Sequence, residues 1–249
     1  MQSLLQWLHR MGIHPATDGA AAARDALGQA GAAVGGAVAP VVAQLDMPAL
    51  LALAAALGWA SGLRLYAVMF LTGAMGYAGW LPLPEGLQVL QHPAVLATSG
   101  LMMLVEFLAD KIPWLDSAWD SLHSVIRVPG GALLAAGVFG ADSAAMGVVA
   151  GLLGGSLAAT SFATKATTRA AINTSPEPVS NWLASFFEDG LVVGVVWLAT
   201  QSPLAFAALL AVLLLVSVLL LLVLWRFLRR VLRTLRAFFG AGTSAQSGA

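Results

Sequence analysis

PALLALAAALGWASGLRLYAVMFLTGAMGYAGW, running from Pro48 to Trp80, carries a single charged residue, Arg64. A helix needs about 20 predominantly apolar residues to cross the hydrocarbon core of a bilayer, so this stretch is longer than one crossing requires. Gly58, Ser61 and Gly62 sit near its middle, beside the charge. The pattern predicts a first span that is either long and tilted or broken at Ser61-Gly62.

The rest of the chain supports the same class. Of 249 residues, 59% are hydrophobic and 10% charged, and mean hydropathy is +0.85. Soluble domains carry about 25% charged residues, so this composition points to an all-α membrane protein. The net charge is zero, which gives no field to attract nucleic acid. The absence of cysteine removes disulfides, thiolate nucleophiles and cysteine-bound metals. No cofactor is expected. Residues 1–12 lack the apolar core and cleavage site of a signal peptide, so the first strong span is expected to direct insertion.

Further apolar segments fall at about 93–110, 129–140, 144–171, 181–200 and 204–225, giving about six transmembrane helices in a membrane domain over 48–225. The third is short and borrows length from the helix before it or sits within protein. Residues 1–47 form an N-terminal extension, first amphipathic and then Ala/Gly-rich. Its 20–45 stretch reads as a surface helix or linker rather than a span, because Gly and Ala add little insertion energy. Residues 226–249 read as a basic amphipathic helix and a disordered tail.

With six spans, the loops at 81–92, 141–143 and 201–203 hold no Lys or Arg, whereas the opposite side collects nearly all of them. The positive-inside rule then places both termini in the cytoplasm of a multi-pass protein of the cell (inner) membrane. Three plus three spans also suggest two inverted three-helix repeats. Arg64 and Lys165 each follow a Gly/Ser-rich turn, and Glu106/Asp110 and Glu188/Asp189 fall in corresponding spans.

Charges at span depth cost several kcal/mol unless paired or hydrated. Arg64, Glu106, Asp110, Lys165, Glu188 and Asp189 are therefore candidates for a transport pathway or for a buried ion pair locking the spans. Asp116, Asp120, His123 and Arg127 recur at intervals of four, three and four, which makes one polar stripe on a cytoplasmic-side amphipathic helix. That stripe reads either as the solvated face of an interfacial helix or, for Asp116, Asp120 and His123, as part of a divalent-metal site. Lys111, Arg127, Asn173, Ser175 and Glu177 are expected to gather in a cytoplasmic polar cluster, with Ser175-Pro176 capping the fifth span. Arg226, Arg229, Arg230, Arg233 and Arg236 share a helix face suited to anionic lipid headgroups. The partners expected are the bilayer, those headgroups and a second copy in a homo-oligomer.

Four phrases carry a family likeness: Gly62-Leu63-Arg64-Leu65-Tyr66-Ala67, Glu106-Phe107-Leu108-Ala109-Asp110-Lys111-Ile112-Pro113, Asp116-Ser117-Ala118-Trp119-Asp120 and Asn173-Thr174-Ser175-Pro176-Glu177-Pro178. In this order they resemble an uncharacterised bacterial integral membrane family (domain of unknown function 4126) over about residues 48–225. The resemblance implies a multi-span membrane domain and supplies no substrate or catalytic residue. Three functions remain open: a small transporter or channel-like permease, a non-transporting membrane scaffold that binds partners, and a metal-dependent membrane enzyme acting on lipid.

Overall fold

Asp46 starts the first helix. Its carboxylate accepts from the Ala49 amide at 3.0 Å and Pro48 follows inside the first turn, so capping and proline agree on where the chain begins to coil. The computed structural model describes residues 46–140, 143–173 and 178–244. The N-terminal extension, Ser175, Glu177, the Ser175-Pro176 cap, the final tail and the side chain of Arg236 lie outside the described residues.

Six α-helices follow in order: α1 (Met47–Tyr77), α2 (Pro93–Ala109), α3 (Pro113–Gly137), α4 (Ala144–Ile172), α5 (Pro178–Gln201) and α6 (Pro203–Ser244). A 3₁₀ segment, Glu85–Gln91, joins α1 to α2 and meets α2 at 71°. No strand occurs among the described residues. Among the described residues, four helices are long and apolar enough to cross a membrane, α1, α4, α5 and Pro203–Arg226 of α6. The bent pair of 3₁₀ segment and α2 makes a fifth if it counts as one crossing. The chain is an all-helical, multi-pass membrane protein.

α1 is the central post and packs against all five other helices. Its seam with α4 is built on glycine. A β-carbon on Gly58 would come 2.5 Å from Gly154 Cα, so only hydrogen fits where the two backbones cross. Beside that seam, Gly147, Gly151 and Gly155 turn toward Ala132 and Ala136 of α3. Leu53, Leu57, Val68, Val192, Val195 and Phe206 fill the apolar core.

Three expectations change. The break in α1 falls at Arg64 (φ −148°, ψ 83°), not at Ser61-Gly62. Gly62 stays helical, close against Ala158 and Ser161, and the Lys165 ammonium donates to the Leu63 carbonyl at 3.2 Å where the helix opens. As one of the two readings of the short third span expected, it takes its length from the polar segment before it, and both are one helix, α3, which continues through Pro129. Its stripe is not solvated. Asp116, Asp120, His123 and Arg127 are buried, while Leu122, Val125 and Ile126 point outward. With lipid outside, a polar face finds its partners only by turning inward. Finally, the basic C-terminal segment is no separate helix but the continuation of α6.

Candidate functional site: a buried network of paired charges

The α1 break puts Arg64 where the end of α2 and one face of α5 deliver carboxylates and a hydroxyl. Its guanidinium is fully buried. Arg64 Nη2 lies 2.8 Å from Asp110 Oδ2, just past the end of α2, and 2.8 Å from Ser185 Oγ on α5, to which it donates. Arg64 Nε lies 2.7 Å from Asp189 Oδ1, a charge contact without hydrogen-bond alignment. Glu188 Oε2 is 4.0 Å from Nη2.

α4 adds two cations one helical turn apart. Lys165 Nζ sits 3.4 Å from Asp110, 3.3 Å from Asp120 and 3.3 Å from Glu188. Arg169 grips Glu188 with two parallel bonds, Nε to Oε1 and Nη2 to Oε2, both 3.1 Å. Such a fork is the strongest geometry available to this pair. Arg169 also reaches Asp110 at 3.5 Å and Asp116 at 3.8 Å, and donates to the Asn181 carbonyl at 3.1 Å.

α3 supplies the fourth cation. Arg127 Nη2 lies 2.5 Å from Glu106 Oε1 and 2.7 Å from Asp120 Oδ1. Both carboxylates share this one guanidinium nitrogen. Four cations thus face six carboxylates: Glu106, Asp110, Asp116, Asp120, Glu188 and Asp189. Several buried atoms have no hydrogen-bond partner among the described residues, including Glu106 Oε2, Asp110 Oδ1, Asp120 Oδ2 and Arg127 Nη1.

Arg64, Asp110, Lys165, Glu188 and Asp189 therefore meet directly, and Glu106 joins them through Arg127, Asp120 and Lys165. Asp189 alone has an appreciably exposed side chain, at 32%. It forms one wall of an apolar crevice of about 270 Å³ with Leu71, Met103, Phe107 and Val192.

Asp116, Asp120 and His123 do not converge on a ligand position. Asp116 accepts from Asn173 Nδ2 at 3.1 Å and from the Ser117 amide. Asp120 turns to Arg127 and Lys165. His123 Nδ1 is 2.9 Å from the Trp119 carbonyl, and its ring stacks on Trp119 and meets Tyr66 edge-on. Among the described residues, no group of three His, Asp or Glu side chains is arranged to hold a metal ion. Burial pushes the Asp116 carboxyl above the usual carboxylate range, against the downward pull of Asn173 and Ser117.

The expected polar cluster also divides. Asn173 bridges Asp116, Ser117 and Asn181, whereas Arg127 lies in the buried network. Lys111 rests on the Phe107 ring at 3.1 Å, where burial lowers its pKa against the pull of Asp189. On α6, Arg229 packs over Trp225 at 4.8 Å, and Arg226, Arg229, Arg230 and Arg233 line one side of the helix with Trp225.

Sequence reasoning missed Arg169, assigning it only to the basic side of the membrane. It also missed Ser185 and Asn181 as partners. One signal was present: Lys165 and Arg169 are four apart, so they share a helix face and meet the same carboxylates.

Residues 51–224 match the family model described as Domain of unknown function (DUF4126), and the chain belongs to that family. No curated protein and no solved structure matches the chain.

Proposed function

We propose that the chain is a small permease whose pathway runs through the charged network around Arg64. The observation that carries this reading is the break in α1. The central helix departs from helical geometry at the residue that anchors the largest group of buried charges. Broken helices beside midplane charges are how many transporters build a site. The crevice at Asp189 supports the same reading, because it brings a network carboxylate to the protein surface. In this reading α2 and the second half of α3 complete six crossings. Both termini lie in the cytoplasm, as the Lys/Arg distribution supports, and the α6 arginines lie at anionic headgroups.

Purified protein in proteoliposomes loaded with ion-sensitive dyes tests the pathway. Wild type is expected to collapse an imposed gradient of protons, or of a solute from a broad screen, and Arg64→Ala or Asp189→Asn to abolish the flux. Proteoliposomes that stay tight across the screen overturn it.

A second reading has an observation of its own. Arg64 is completely buried and tied to residues from α2 and α5, which suits a structural lock in a membrane scaffold. In that case Arg64→Ala lowers thermal stability, and no flux is seen even in wild type.

A further inference from the structure

The buried carboxylates do not have equal shares of the available cations. Asp110 has three, Arg64, Lys165 and Arg169. Glu188 has the two-pronged grip of Arg169 and also Lys165. Asp120 has Arg127 and Lys165. Glu106 has, among the described residues, Arg127 alone within ion-pair distance, and shares that same Nη2 nitrogen with Asp120. Its second oxygen, Oε2, is buried with no hydrogen-bond partner among the described residues, and the residue is 0% exposed.

An ionised carboxylate without full compensation costs several kcal/mol in such surroundings, and the usual outcome is neutralisation. Two agents can supply the missing charge, a metal ion or a proton. A metal ion needs several converging ligands, and no such group occurs among the described residues. A proton needs only one oxygen.

We propose that Glu106 is a proton-binding site, protonated at neutral pH in the resting protein. The proton comes from water and adds to a Glu106 carboxylate oxygen. Arg127 is then left paired with Asp120 as a one-to-one ion pair. The groups that face Glu106 agree with this. Arg127 and Asp120 come from α3, Arg64 and Tyr66 from α1, Lys165 from α4, and Asp110 from the next turn of its own segment. Of the cations, Arg64 and Lys165 are occupied by Asp110, Asp189, Asp120 and Glu188. In the permease reading, on which this second step rests, a proton held there is the coupling ion.

Infrared difference spectroscopy of the full chain in lipid, with chelator present, tests the site without reference to transport. Wild type is expected to show the carbonyl stretch of one protonated carboxyl per chain at neutral pH, shifted in D₂O and absent in Glu106→Gln. Because Gln mimics a neutral Glu, Glu106→Gln is also expected to fold and melt like wild type, whereas Asp110→Asn melts well below it. A missing band, a band that survives Glu106→Gln, or a Glu106→Gln protein that fails to fold or melts as low as Asp110→Asn overturns the proposal. A band without flux leaves the proton site standing and removes the permease. Flux without the band does the reverse.

Discussion

α1 and α6 both pass as membrane spans, yet they are built for opposite neighbours. In α1, 83% of the most apolar window is buried inside the protein; in α6 the share is 6%. α6 offers lipid an almost unbroken surface of Leu and Val, such as Leu215, Val218 and Leu219. α1 is smaller and more polar, with Gly58, Ser61, Gly62 and Arg64 on buried faces. In a bilayer, greasiness marks the outside and small or polar residues mark the inside, because lipid already satisfies apolar side chains and only protein can satisfy the rest.

The sharpest way to break this contrast is to add bulk to each helix. Gly58→Leu would drive a side chain into the α4 backbone and is expected to abolish the folded protein in size-exclusion chromatography. Leu219→Phe on α6 is expected to leave the profile unchanged, since that side chain is 53% exposed.

Charge makes the next contrast. Removing one partner of a buried pair costs about 3–5 kcal/mol, so Asp110→Asn is expected to lose that order of stability in reversible unfolding. The reverse operation on α6, Leu215→Arg near the middle of its span, is expected to cost about 2.5–3.5 kcal/mol, read as the inserted fraction. The same chemical group is thus required in one helix and rejected by the other.

The smallest effect is expected at Asp116. Its folded pKa is raised, so the folded state holds the proton more tightly than the unfolded state. Stability from this group is present at low pH and is lost as pH rises through the folded pKa. Asp116→Asn keeps an acceptor for Asn173. Asn is neutral like the protonated acid, so the variant is expected to melt like wild type in acid and to lack the loss of stability that wild type shows as pH rises, as a melting series against pH would show.

Much of this was legible in the sequence. Long apolar runs mark α1, α4, α5 and α6, and Pro48 and Pro203 stand where α1 and α6 begin. Arg64 stands out because it is the sole charge in its run. The polar stripe of α3 was visible, but its direction was not. A helix with one polar and one apolar face looks the same in sequence whether water lies outside or charged partners lie inside. Asp120 and Arg127 face inward because Glu106 and Lys165 are there to meet them, and those residues are distant in the chain. The position of the α1 break depended on a similar distant contact, Lys165 on the Leu63 carbonyl. Pro129 lies inside α3, so of the two readings of the short third run the one in which it borrows length from the preceding helix holds.

The account stands on the claim that the charges at span depth form one coupled network inside the bundle. A double-mutant cycle on Arg64 and Asp110, with Arg64→Leu, Asp110→Leu and the pair measured by unfolding in lipid, tests that most directly. The two side chains are 2.8 Å apart and fully buried. The double variant is expected to lose less stability than the two single losses added together, by about 0.5–3 kcal/mol. Losses that simply add would mean that the two charges do not meet, and would contradict the account.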